Sequence, residues 1–112
     1  MSHYNLSAVE ETAEGDQDFI LVVIQTFLEE VPPDVVSMNE AIKNGNSKLA
    51  YQFAHKIKPN LKLFGLDLLE QIQVIEKWAK QGKVEHKVPE AASIITDQVT
   101  LICGELRNDY NL

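Results

Sequence analysis

The stretch DQDFILVVIQTFLEEVPPDVVSMNEAIKNGNS, residues 16–47, decides the fold. Its apolar positions Ile20, Ile24, Phe27, Val31, Val35, Met38 and Ile42 are spaced 4, 3, 4, 4, 3 and 4 apart. That rhythm places them on one stripe of a helix. Pro32 and Pro33 fall inside the run, where proline breaks or kinks a helix. The stripe keeps its register across them, so the reading is one long helix with a bend. Asp16 is placed to cap its start, and Asn44-Gly45-Asn46 forms the turn that ends it.

Outward from this segment, the helical period continues. Ser7 and Glu10 have the spacing of a capping box for a short leading helix that Gly15 ends. Asn46 or Ser47 caps a third helix running to about Phe64, with Gly65 as its stop. A fourth spans about Asp67 to Gln81 and turns Leu68, Ile72, Ile75 and Ala79 inward, with Trp78 between helices or half exposed. Pro89 sits at a helix start, where proline is tolerated. The last helix buries Val88, Ala92, Ile95, Val99, Ile102 and Leu106. No stretch alternates long enough to suggest a strand. Short connections make neighbouring helices antiparallel. The expected fold is all-α: an up-down antiparallel four-helix bundle with a short additional N-terminal helix.

Composition sets the outer limits. With 112 residues, 45% hydrophobic and 24% charged, the chain reads as a single globular domain, residues 1–112. The longest apolar run, Phe19 to Ile24, is far short of a membrane span. The first residues carry no secretory pattern, and Cys103 is alone, so a reduced, cytoplasmic setting is expected. Cys103 itself reads as a small buried hydrophobe. A net charge of −7 disfavours nucleic acid and anionic membrane partners. The initiating Met1 favours a free-standing chain, and a monomer is expected.

The third helix carries the chemistry. Ala50, Phe53, Ile57, Leu61 and Phe64 share its core face at 100° per residue. Lys48, Tyr51, Gln52, His55, Lys58, Pro59 and Lys62 fall on the opposite side. His55 therefore faces solvent, with Lys58 three residues on and Lys62 seven. Flanking ammonium groups disfavour a further positive charge on the imidazole and attract a phosphoryl group. A neutral imidazole among such groups is what phosphorylation at nitrogen needs. The bland alternative is a solvated helix face, and helix position alone favours it.

The other candidates read as surface. His3 and His86 lie near the amino terminus and in a polar connection. Glu29, Glu30 and Asp34 cluster near the proline bend and read as a solvated face. The histidines and Cys103 lack metal-ligand spacing, and no Gly-rich loop offers a site for ATP.

The run Ala54-His55-Lys56-Ile57-Lys58-Pro59-Asn60-Leu61-Lys62-Leu63-Phe64-Gly65 resembles the signature of histidine-containing phosphotransfer domains. That family carries a histidine, a lysine three residues later and a small or turn-forming residue next. An apolar residue followed by glycine completes it, the glycine ten residues after the histidine. His55, Lys58, Pro59, Phe64 and Gly65 occupy those places. The Asp16–Phe19 start, the Phe27–Glu30 segment and the Asn44–Asn46 turn extend the likeness over most of the chain. Where the family often has glycine, this chain has Pro59, which cannot donate to the His55 carbonyl and disfavours helical geometry at Lys58.

The resemblance implies a phosphorelay intermediate of two-component signal transduction. His55 would accept a phosphoryl group from a receiver-domain phospho-aspartate and pass it to another receiver. Lys58, with Lys62 as a second candidate, would balance its charge. Tyr51, Gln52, Pro59, Leu63 and Gly65 would dock the partner, a response-regulator receiver or that of a hybrid sensor histidine kinase. The chain would need no cofactor, the receiver supplying Mg²⁺, and would have no kinase activity of its own. A polar side chain of the next helix, Glu76 or Lys77, would support the imidazole. The rival reading is a helical module that binds a signalling partner without phosphotransfer.

Overall fold

A computed structural model of the chain describes residues 2–112. Its elements are α1 (Ser7–Ala13), α2 (Gln17–Lys43), α3 (Ser47–Leu63), α4 (Leu69–Gln81) and α5 (Val88–Tyr110), with one 3₁₀ turn, Glu85–Lys87, before α5. The described residues form no strand. Helix α2 packs on α3, α3 on α4 and α4 on α5, while α5 closes back on α2 and α1 leans on α2.

Helix α2 begins where Asp16 accepts hydrogen bonds from the backbone N–H groups of Asp18 and Phe19, at 3.1 and 3.2 Å. It runs unbroken through Pro32 and Pro33. The prolines take two donors from the helix, yet the buried stripe Ile20, Ile24, Phe27, Val31, Val35 and Met38 holds it against the bundle. Packing of a whole apolar face outweighs the loss of two hydrogen bonds of about 1 kcal/mol each. Helix α3 starts under Asn46, whose side chain accepts from the Leu49 N–H at 3.2 Å, and it too continues through a proline, Pro59.

Local geometry corrects several expectations. Ser7 is the first residue of α1, not its cap; the Asn5 side chain accepts from the Ser7 N–H at 2.8 Å instead. Helix α4 starts at Leu69, two residues after Asp67. Trp78 is buried and Ala79 only half-buried. On α3, Ala54 is buried and Phe53 half-buried; on α2, Ala41 lies deeper than Ile42. On α3 and α2 the small side chain is the buried one of the pair and the larger lies nearer the surface, whereas on α4 the large Trp78 is the one buried. Asp34, read as solvated, is a buried carboxylate: Lys56 of α3 reaches it at 3.2 Å. An acid at a helix interface needs such a partner.

The expected stripe of α5 is buried throughout, and Cys103 is buried beside it, where burial pushes its thiol pKa up. Phe27 of α2 meets Phe64 with ring centroids 4.2 Å apart. No helix among the described residues is long and apolar enough to cross a membrane.

Candidate functional site

Helix α3 positions the site. Its buried residues Ala50, Ala54, Ile57, Leu61 and the following Phe64 lock its rotation against α2 and α4. That rotation leaves Gln52, His55, Pro59 and Lys62 exposed and Tyr51, Lys58 and Leu63 half-buried at the edges. His55 is thus presented to solvent from a rigid element, which suits a group that must meet a second macromolecule.

The cations around it differ in their engagement. Lys56 is committed to Asp34 on the α2 side. Lys80 of α4 lies 3.4 Å from Glu76. Lys58 and Lys62 form no ion pair with a carboxylate among the described residues. Together with Gly65, Leu66, Asp67 and Leu69 they line a shallow cleft of about 280 Å³ between the end of α3 and the start of α4. The structure therefore brings Lys58, Lys62 and Gly65 together. His55, Tyr51 and Gln52 lie toward the amino end of the helix, outside that cleft.

Neither Glu76 nor Lys77 bonds to His55. Glu76 is turned to Lys80, and Lys77 is exposed. The polar group nearest the imidazole comes from α3 itself: Tyr51 Oη lies 3.5 Å from His55 Nδ1. The two rings are 5.6 Å apart at a 40° tilt, and Lys80 Nζ sits 5.4 Å from the Tyr51 ring centroid. The i, i+4 spacing of Tyr51 and His55 was visible in the sequence; the approach of Lys80 depends on the register of α4 against α3.

Gly65 has a structural duty. It adopts φ +77°, and a Cβ there would come within 2.6 Å of the Asn5 Cβ. The segment before α1 crosses the end of α3 at this point, with the Asn5 N–H donating to the Phe64 carbonyl at 2.8 Å. His3 continues the crossing to α5, where the two Glu105 carboxylate oxygens take its backbone N–H at 2.7 Å and its Nδ1 at 2.6 Å. His86 is exposed in the 3₁₀ turn. No cluster of three or more metal-ligating side chains occurs among the described residues.

No family model matches the chain, and no curated protein or solved structure matches it significantly.

Proposed function

We propose that this chain is a histidine-containing phosphotransfer module, a phosphorelay intermediate that carries a phosphoryl group on His55. One observation carries the reading: an exposed histidine in mid-helix on α3, followed on the same helix by two lysines without carboxylate partners. In an acidic chain such cations serve an incoming anion better than they serve stability. The architecture this reading uses is an up-down antiparallel four-helix bundle, α2 to α5, with α1 as the additional helix. Its supports are the short turns and the pairing of consecutive helices.

In the proposed step, a receiver carrying a phospho-aspartate docks on the exposed face of α3. An imidazole nitrogen lone pair forms the N–P bond in line. The P–O bond to the aspartyl carboxylate breaks, and its electron pair leaves with that carboxylate. Lys58 and Lys62 offset the charge of the transferred group, and the receiver brings the Mg²⁺. A cytoplasmic, single-domain carrier without kinase activity fits this role.

The test is label transfer from a phosphorylated receiver. Label should reach the wild-type chain and not His55→Gln. Equal labelling of both proteins sinks the assignment of His55. A receiver that binds but never transfers label leaves the binding-only reading in its place.

A further inference from the structure

The resting geometry around His55 contains a choice that the phosphotransfer reading leaves open. A neutral imidazole has one N–H and one lone pair, and only the nitrogen with the lone pair can attack phosphorus. Something must decide which nitrogen that is. Among the described residues, the polar atom that meets the ring is Tyr51 Oη, 3.5 Å from Nδ1.

A phenol oxygen can accept or donate. If Tyr51 donates, the Nδ1 lone pair is occupied and Nε2 carries the proton, so neither nitrogen is free to attack. If Tyr51 accepts, Nδ1 holds the proton and the Nε2 lone pair is free. Attack then places positive charge on the ring, which strengthens the Nδ1–H bond to Oη as the transition state forms. The contact is long at rest, as catalytic hydrogen bonds often are before a partner is bound.

The Tyr51 ring is itself held. It is half-buried against the core, and the Lys80 ammonium sits 5.4 Å from its centroid while bound to Glu76. Two residues of α4 thus reach His55 through Tyr51 and do not touch the imidazole.

We propose that Tyr51 is the positioning residue of His55, accepting from Nδ1–H and thereby making Nε2 the nucleophile, with Lys80 anchoring the Tyr51 ring. The proposal rests on the phosphotransfer reading, but its first readout does not. In the ¹⁵N-labelled full chain without any receiver, at a pH where the imidazole is neutral, the ring nitrogens report the tautomer directly. Wild type should hold His55 in the Nδ1–H form. Tyr51→Phe keeps the ring and removes the oxygen; His55 should shift toward the Nε2–H form while the His3 and His86 signals stay in place. Lys80→Met should produce a smaller shift in the same direction.

Labelling by a phosphorylated receiver should slow by at least about tenfold in Tyr51→Phe with receiver binding unchanged, as expected when a wrong tautomer dominates. An Nε2–H form in wild type, or a tautomer that Tyr51→Phe does not move, overturns the proposal. An unmoved tautomer in Lys80→Met removes Lys80 from it. If the tautomer shifts but the wild-type chain accepts no label, the positioning stands and the phosphotransfer reading falls. If label arrives and the tautomer is unmoved, the reverse holds.

Discussion

His3 and His55 are both exposed, yet the molecule uses them in opposite ways. His3 is gripped by Glu105 through its ring and its backbone, 102 residues away in the chain. Its neighbours Tyr4 and Asn5 bond to Asp109 and to the Phe64 carbonyl, so three consecutive residues fasten the amino-terminal segment across the ends of α5 and α3. His55 meets no carboxylate; the Tyr51 phenol lies beside its ring, and Lys58 and Lys62 follow it on the same helix without ion-pair partners. Exposure alone therefore says little about a histidine. A carboxylate on the ring makes it a staple, and a ring without one stays open to a partner.

The contrast can be broken by giving His55 a carboxylate. Lys58→Glu places one a single helical turn away, on the same side of α3. Receiver-to-His55 labelling should slow by about tenfold or more, since an attractive charge becomes a repulsive one for the phosphoryl group. Thermal stability should change little, because Lys58 makes no ion pair. Labelling at the wild-type rate would show that the lysine charge is idle.

The staple can be broken at its crossing point. Gly65→Ala forces a side chain into the left-handed region and within 2.6 Å of the Asn5 Cβ. The expected cost is about 1–3 kcal/mol, read by urea unfolding. Asn5→Gly removes the colliding Cβ and also the Asn5 bond to the Ser7 N–H, so Gly65→Ala should cost less in an Asn5→Gly background than in wild type, and what it still costs there includes the strain of φ. An unchanged midpoint in Gly65→Ala would mean that the amino-terminal segment does not rest on the end of α3.

The two histidines also differ in how much of their role could be read from the chain. The face of His55 follows from local period: 100° per residue sets its exposure, and the lysines lie on its own helix. The same period locates the stripe of α2 through two prolines and the stripe of α5 from Val88 to Leu106, missing only Ala91 beside it. Pairings between helices were not legible. With Glu29 and Glu30, Asp34 reads as part of a solvated acidic face; Lys56 lies 22 residues on and arrives only through the register of α3 on α2. His3 with Glu105, and Lys80 with the Tyr51 ring, are hidden for the same reason. The stop at Gly65 was legible, whereas the contact with Asn5 needed three dimensions.

The smallest effect expected lies in how the staple responds to pH. Burial, reinforced by the hydrogen bond to Asp109, pushes the Tyr4 hydroxyl up to about 12. An unfolded tyrosine ionises near 10, so the stability this group contributes is complete below that value and is lost as pH rises toward 12. Glu105 behaves in the opposite sense. Its hydrogen bonds from His3 hold its carboxyl below the ordinary range. Its contribution is present above the unfolded carboxylate value and fades as pH falls through the lowered one. The staple should accordingly hold through the middle of the pH scale and loosen at both ends. Phenolate absorbance offers the sharper check: the Tyr4 fraction should titrate late, and Tyr4→Phe should remove it. If the late fraction persists in Tyr4→Phe, the hydroxyl is not held against Asp109, and the difference between the amino-terminal segment and the face of His55 rests on Glu105 and Asn5 without it.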